Sequence, residues 1–192
     1  MTKIRVKNFG PIKEGFTENG GWIDIKKVTV FIGNQGSGKS TIAKLISTFS
    51  WIEKALVRGD YNQKWFEHKN KLKNQFLPYH RLENYFPRNP NRKTIIEYQG
   101  DRYTIVFKNN ALRIKETQSE SYALPQIMYV PAERNFISYV KTPKELKLSS
   151  DSLKEFLTEF DNAKSKMFGL VDLPINNVKA EYDRLNDTVN VR

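Results

Sequence analysis

The sequence predicts an α/β fold, and three features of the 192-residue chain support this prediction. A glycine-rich loop at 33–41 stands between an apolar run of strand length and a helical pattern. A second apolar run, 126–130, is followed by a proline, which ends a strand. Between them, 94–116 has three short alternating segments separated by turn residues. Together they predict a parallel core with an accompanying antiparallel β subdomain.

Composition and charge exclude several classes of protein. The chain has no cysteine, which rules out a disulfide framework and a thiolate zinc site and suits a reducing cytoplasm. No run of about 18 apolar residues is present, so we expect no membrane partner and a cytoplasmic location. The net charge of +11 favours polyanionic partners such as DNA, although a solvated basic surface explains it equally well.

The first residues predict two strands. Residues 3–7 alternate between apolar and basic side chains, the pattern of a half-buried edge strand. Turn residues at 8–13 end it, and a second break at 19–21 precedes another short strand at 22–25.

The next segment contains the motif with the clearest chemistry. The phosphate-binding pattern G-x-x-x-x-G-K-[ST] is met by Gly33, Asn34, Gln35, Gly36, Ser37, Gly38, Lys39, Ser40 and Thr41. The glycines let backbone N–H groups approach a polyphosphate closely. Lys39 supplies a cation for the β- and γ-phosphates, and the Ser40 hydroxyl is a hard ligand suited to Mg²⁺. The pattern predicts ATP and Mg²⁺ as cofactors.

The flanks of this P-loop have the setting that the motif needs. Residues 28–32 form a β-branched and aromatic run that predicts a buried strand. After Ser40, apolar residues recur at helical spacing, so the phosphates would meet a helix N-terminus. A glycine-rich turn that ends in Lys-Ser by chance is the alternative, and the flanks argue against it.

The segment 54–93 is rich in cations and aromatic residues. Such a mixture is typical of a nucleic-acid surface, where cations attract phosphates and rings stack on bases. It is also typical of a helical insert whose aromatics pack inward while its lysines face water. Prolines at 78, 87 and 90 favour the packed insert.

The second half of the chain offers one further candidate site residue. Glu133 and Arg134 directly follow the predicted strand 126–130, and ligands of open α/β sheets bind beyond the carboxyl ends of strands. A salt-bridging Glu-Arg pair is the alternative interpretation. Further on, 142–145 has the form of a capping box, a helix is expected from Ser149 or Ser150 to Gly169, and a hairpin ends the chain.

These motifs, taken together, resemble a known family. A first strand that ends in Asn-Phe-Gly-Pro-Ile, a second strand and a P-loop at residue 33 are similar to the N-terminal lobe of ABC-type ATPases, in particular the RecF/SMC/OLD branch that acts in DNA maintenance and phage defence. The usual loop of that branch has Asn where this chain has Gln35. The resemblance implies that Asn8, Phe9 and Lys13 are candidates to hold the base, with packing as the alternative for Phe9 because an aromatic residue beside a Gly-Pro turn is more often part of a core.

The resemblance also implies a catalytic role for Glu133, in contact with the metal or its water, and a phosphate or partner subunit as the contact of Arg134. It implies that an ATPase head needs a Walker B strand and a signature loop. Neither is found: 167–172 is interrupted by glycine and is interpreted as a helix end and turn, and 148–151 has no glycine.

We therefore expect 1–192 to be an N-terminal lobe that hydrolyses ATP only when a C-terminal half completes it and two heads pair as a homodimer. The first alternative is a nucleic-acid-binding module on a degenerate P-loop scaffold that uses the insert 54–93. The second is a small-molecule kinase, for which the sequence offers no acceptor site.

Overall fold

The computed structural model describes residues 2–117, 122–139, 148, 150–173, 179–183, 186 and 188–191. The chain divides into two compact units, Met1–Tyr129 and Val130–Arg192. The predicted capping box at 142–145 lies outside the described residues.

The first unit is built on a five-stranded antiparallel sheet with the order β2-β1-β3-β4-β5. Its strands are β1 (Lys3–Lys7), β2 (Ile23–Asp24), β3 (Ile95–Gln99), β4 (Tyr103–Lys108) and β5 (Ala111–Glu116). The predicted meander is confirmed, but the prediction of an edge position for β1 is wrong. β1 pairs with β2 on one side and with all five residues of β3 on the other, because β3 returns from far along the chain.

One long helix, α1 (Lys39–Arg58), packs its apolar face on this sheet. Leu45, Phe49 and Ile52 are fully buried, and the Phe49 ring stacks on Tyr98 of β3 with 5.8 Å between centroids. Apolar burial of this kind is the main source of stability for a domain of this size. Gly59 ends the helix in the left-handed conformation, φ 77°, where its N–H donates to carbonyls of the last turn.

A buried carboxylate joins α1 to the sheet. Glu53 is 3% exposed, and its Oε1 accepts hydrogen bonds from the backbone N–H groups of Arg102, at 2.8 Å, and Tyr103, at 3.0 Å. Its Oε2 accepts the Tyr98 hydroxyl at 3.1 Å. A Cβ at Gly100 would lie 2.2 Å from both carboxylate oxygens, so only glycine fits there. Burial and then the Glu53 charge raise the pKa of Tyr98.

The two apolar runs that were predicted to form parallel strands are not paired in the structure. Neither 28–32 nor 126–130 belongs to a sheet, and within the described residues no backbone hydrogen bond joins them. Both segments turn alternate side chains outward: Val28, Val30 and Ile32 are 76%, 73% and 93% exposed, and Met128 is 57% exposed. The predicted strands are therefore wrong for this structure, because the described residues provide no neighbouring strand for them.

The segment after α1 consists of short helical turns. They are α2 (Gln63–Glu67), a π-helical turn at Leu72–Phe76 and a 3₁₀ turn at Pro78–His80. Since α1 continues to Arg58, the predicted start of the insert at 54 falls inside that helix. Phe66, Leu72 and Leu77 are buried, and Tyr85 and Phe86 pack against the core. The aromatic residues therefore serve packing, as the second interpretation of this segment expected.

The second unit contains one helix and a small sheet. They are α3 (Asp151–Lys166), which follows Ser150, and the antiparallel strands β6 (Leu170–Leu173), β7 (Ala180–Asp183) and β8 (Thr188–Val191) in the order β6-β7-β8. The predicted final hairpin is confirmed. The interpretation of 170–172 as a turn is wrong, because β6 gains hydrogen-bonding partners from β7.

Candidate functional site

The P-loop lies at the N-terminus of α1. Gly38 precedes the helix in the left-handed conformation, φ 98°, and the first intrahelical hydrogen bond runs from the Ile42 N–H to the Gly38 carbonyl at 3.0 Å. The N–H groups of Lys39, Ser40 and Thr41 therefore lack partners within the helix. Unpaired N–H groups and the helix dipole together favour an anion at this end.

Two glycines of the loop have conformations that other residues rarely adopt. Gly36 has φ 78°, and a Cβ there would meet no atom within 4 Å. Gly38 is more restricted, because a Cβ on it would lie 2.6 Å from Cγ1 of Ile12. The turn after β1 thus packs directly on the P-loop and requires glycine at 38.

The Lys39 side chain folds back over its own loop. Its Nζ donates to the carbonyl oxygens of Gly33 and Asn34, both at 2.7 Å, and lies 3.5 Å from Oγ of Ser37. These contacts hold the ammonium group on the loop that precedes the helix N-terminus. A polyphosphate bound there would give the lysine an anionic acceptor in addition to neutral carbonyls.

The last two residues of the motif have different environments. Ser40 is exposed, so its hydroxyl is accessible to a ligand, whereas Thr41 is buried. Ser40 therefore suits the role predicted for it at the metal, and Thr41 can contribute its backbone N–H. Asn34 and Gln35 are exposed in the loop.

A cleft of about 360 Å³ opens beside the loop. Its lining includes Gly33, Ser37, Gly38 and Lys39 from the P-loop and Pro11, Ile12, Lys13, Phe16 and Phe31 from the preceding segments. The cleft is mostly apolar away from the loop, which fits an aromatic base better than a second phosphate.

The three base-contacting candidates have different positions in the structure. Lys13 lines the cleft. Phe9 is fully buried and packs edge-on against Phe86 at 5.3 Å, so the prediction that it contacts the base is wrong. Asn8 does not line the cleft, and its side chain donates to the Lys93 carbonyl at 3.1 Å. Sequence reasoning missed Phe16, whose position in the turn between Gly15 and Thr17 was the available signal.

Glu133 belongs to the second unit. It is exposed in the first turn of a 3₁₀ helix, Ala132–Tyr139, and the Arg134 N–H bonds the Pro131 carbonyl at 3.2 Å. The P-loop lies in the first unit, so the catalytic role of Glu133 stays a prediction.

The described residues fit an ATP–Mg²⁺ complex in the chemistry of their donors. A triphosphate needs N–H donors and a cation, which the start of α1 and Lys39 offer. Mg²⁺ binds few protein ligands together with phosphate oxygens, and the exposed Ser40 hydroxyl is of the right type. When bound, the metal would neutralise phosphate charge as a Lewis acid.

Comparison with known proteins identifies one family. A model of the AAA ATPase domain matches residues 1–190. No curated protein and no solved structure gives a significant match. Within the described part of the chain, none of the helices has both the length and the apolar character that crossing a bilayer requires. Because the match spans almost the whole sequence and includes the P-loop, the chain belongs to the AAA ATPase domain family, whose members are ATP-binding proteins.

Proposed function

We propose that this chain binds ATP with Mg²⁺ through residues 33–41. The observation that carries the proposal is the junction at Gly38. There, a 20-residue helix presents three N–H groups without helical partners, and the Lys39 ammonium group lies on the loop that leads into this helix. Family membership supports nucleotide binding independently of this geometry.

Each residue of the loop and the cleft has a specific role in this proposal. Backbone N–H groups of residues 35–41 hold phosphate oxygens, foremost the three at the start of α1, since the Ser37 N–H donates to the Asn34 carbonyl at 3.2 Å; Lys39 contacts the β- and γ-phosphates. Ser40 holds Mg²⁺ through its hydroxyl. Lys13 and the apolar cleft accommodate the nucleoside. Gly38 keeps the loop close to Ile12, so the phosphate site and the cleft have a fixed geometry.

We further propose that hydrolysis requires a more complete head. The segments 28–32 and 126–130 have exposed apolar side chains and, within the described part of the chain, belong to no sheet, so additional parallel strands would cover them. Such strands would supply the Walker B carboxylates expected of an ABC-type head of the RecF/SMC/OLD branch. Glu133 then acts at the metal or its water, two heads pair as a homodimer, and the biological role is in DNA maintenance or phage defence.

The first test is the variant Lys39→Ala. We expect ATP affinity to fall by about 10- to 100-fold or more, because a charge-assisted hydrogen bond to phosphate contributes about 1.5–3 kcal/mol. Isothermal titration with ATP and Mg²⁺ measures the loss.

Lys54→Ala is the matched control for this test. Lys54 lies on the same helix outside the loop, so its replacement removes the same charge at a distance from the site. Equal affinities of Lys39→Ala and wild type for ATP would contradict the proposed site. Equal losses of ATP affinity in the two lysine variants would mean that only the net charge of the chain matters.

A further inference from the structure

A second groove lies on the first unit among residues that do not belong to the P-loop. Residues 67–73 form one wall, and Phe107 and 110–113 at the end of the β4–β5 hairpin form the other, around a volume of about 430 Å³. A neighbouring groove of about 330 Å³ shares Phe86, Pro87 and Asn110 with it. The shared residues make the two grooves one continuous trough.

The charged residues that line this trough are mostly positive. Its lining contains six cations, Lys69, Lys71, Lys73, Arg92, Lys93 and Arg113, and one carboxylate, Glu67. That carboxylate already accepts the Ile114 N–H at 2.7 Å and lies 4.0 Å from Arg113. One engaged carboxylate does not neutralise six cations, so the trough has an excess of positive charge that attracts polyanions.

Several of these cations are available to a ligand. Lys69, Arg92 and Lys93 are exposed, and within the described residues none of them forms an ion pair. Lys73 is exposed and its Nζ lies 5.3 Å from the centre of the Phe86 ring, whereas Lys71 packs at 3.7 Å over Trp65. Cations on both walls can therefore contact a chain of phosphates that lies in the trough.

The aromatic residues of the trough are engaged in packing. Phe86 contacts Phe9 at 5.3 Å and Phe107 at 5.5 Å, in addition to Lys73. Trp65, next to the trough, stacks on Tyr61 at 3.9 Å. Stacking on bases would need a free ring face, so recognition here depends on phosphate and sugar, without selection among bases.

We propose that this trough binds the sugar–phosphate backbone of single-stranded nucleic acid. A flexible single strand can bend into a concave groove that follows its phosphates, whereas a rigid duplex presents a convex surface. The binding is independent of base sequence and depends strongly on salt, because each neutralised phosphate releases condensed counterions. The site includes Arg113 of β5 and is separate from the P-loop.

The test compares oligonucleotide binding by two triple variants. Lys69→Gln/Lys73→Gln/Arg113→Gln removes three cations of the trough, and Lys26→Gln/Lys27→Gln/Lys54→Gln removes three cations of the first unit that do not line it. Fluorescence anisotropy with a labelled single-stranded 20-mer at several salt concentrations gives affinity and its salt dependence. We expect the trough variant to lose about 10- to 100-fold in affinity and the slope of log K against log salt to decrease by about 2.

Each outcome supports or overturns the proposal. It is supported if the trough variant loses affinity and slope while the control triple and Lys39→Ala stay near wild type. Equal losses in both triples, no binding by wild type, or tighter binding of a duplex would overturn it. The proposal would also be overturned if the trough variant lost binding to phosphatidylserine vesicles or polyglutamate but bound the oligonucleotide with wild-type affinity. Thermal unfolding monitored by circular dichroism verifies that both triples are folded.

Discussion

The antiparallel sheet and the two apolar segments 28–32 and 126–130 have similar residues but opposite environments. Ile105 and Phe107 on β4 are buried, whereas Val30 and Ile32 on the loop-preceding segment are exposed. Strands β3, β4 and β5 are joined by hairpins, and Asn109 and Asn110 adopt the positive φ angles that a two-residue turn needs. A parallel strand requires a partner brought by a long crossover. The two regions therefore differ in burial because only the sheet residues have neighbouring strands, although the amino-acid composition is similar.

The largest effect on stability is expected when isoleucine is replaced by alanine in each of the two regions. Ile105→Ala should lower the free energy of unfolding by about 2–5 kcal/mol, because it leaves a cavity under α1. Ile32→Ala should change it by less than about 0.5 kcal/mol, since the side chain is exposed. Urea denaturation measures both values.

Equal losses in the two variants would mean that 28–32 is covered in solution. Repeating the measurement at several protein concentrations would then show whether another copy of the chain covers it, because stability that depends on association rises with concentration.

A smaller effect is expected at the polar contact that fixes α1 on the sheet. Glu53→Ala leaves the Arg102 and Tyr103 N–H groups without this acceptor, whereas the Tyr98 hydroxyl keeps its contact with Ser50 Oγ at 3.2 Å. We expect a loss of about 2–3 kcal/mol, the cost of unsatisfied buried donors. Chemical denaturation gives the value.

Glu116→Ala is the matched control for Glu53→Ala. Glu116 also contacts Arg102, through the side chain at 2.9 Å, but this ion pair lies at the surface and should contribute less than about 1 kcal/mol. If the two variants lost the same stability, the buried hydrogen bonds of Glu53 would contribute no more than a surface ion pair does.

Local patterns predicted the meander, the P-loop and the helix after it, because each depends on residues close in sequence. The position of β1 was not predictable, because its neighbour β3 lies about ninety residues away. The apolar character of 28–32 predicted a strand that the structure does not form, because pairing depends on a partner that periodicity does not specify. At the site, Gly38 and Lys39 followed from the motif, whereas Phe16 offered only its position in a turn as a local signal, because its place in the cleft depends on tertiary packing.

The smallest effect concerns His80, the buried last residue of the 3₁₀ turn Pro78–His80. Its ring lies edge-on to Tyr79 and Tyr129, both at 4.6 Å, and its carbonyl accepts Lys44 Nζ at 3.0 Å. Burial, and then the Lys44 charge, lower the pKa of His80 from 6.5 to about 4. The unfolded chain therefore binds a proton between these two pH values and the folded chain does not, so stability falls as pH decreases through this window.

We expect a loss of about 1 kcal/mol between pH 6.5 and about pH 5.5 from this residue alone. Urea denaturation of wild type and His80→Phe at the two pH values isolates it, because other groups titrate alike in both proteins. His68→Gln, which replaces an exposed histidine, is the matched control for the loss of a histidine. A His80→Phe variant with the same pH dependence as wild type would mean that water reaches the ring, and hence that its packing against Tyr79 and Tyr129 does not keep the imidazole neutral.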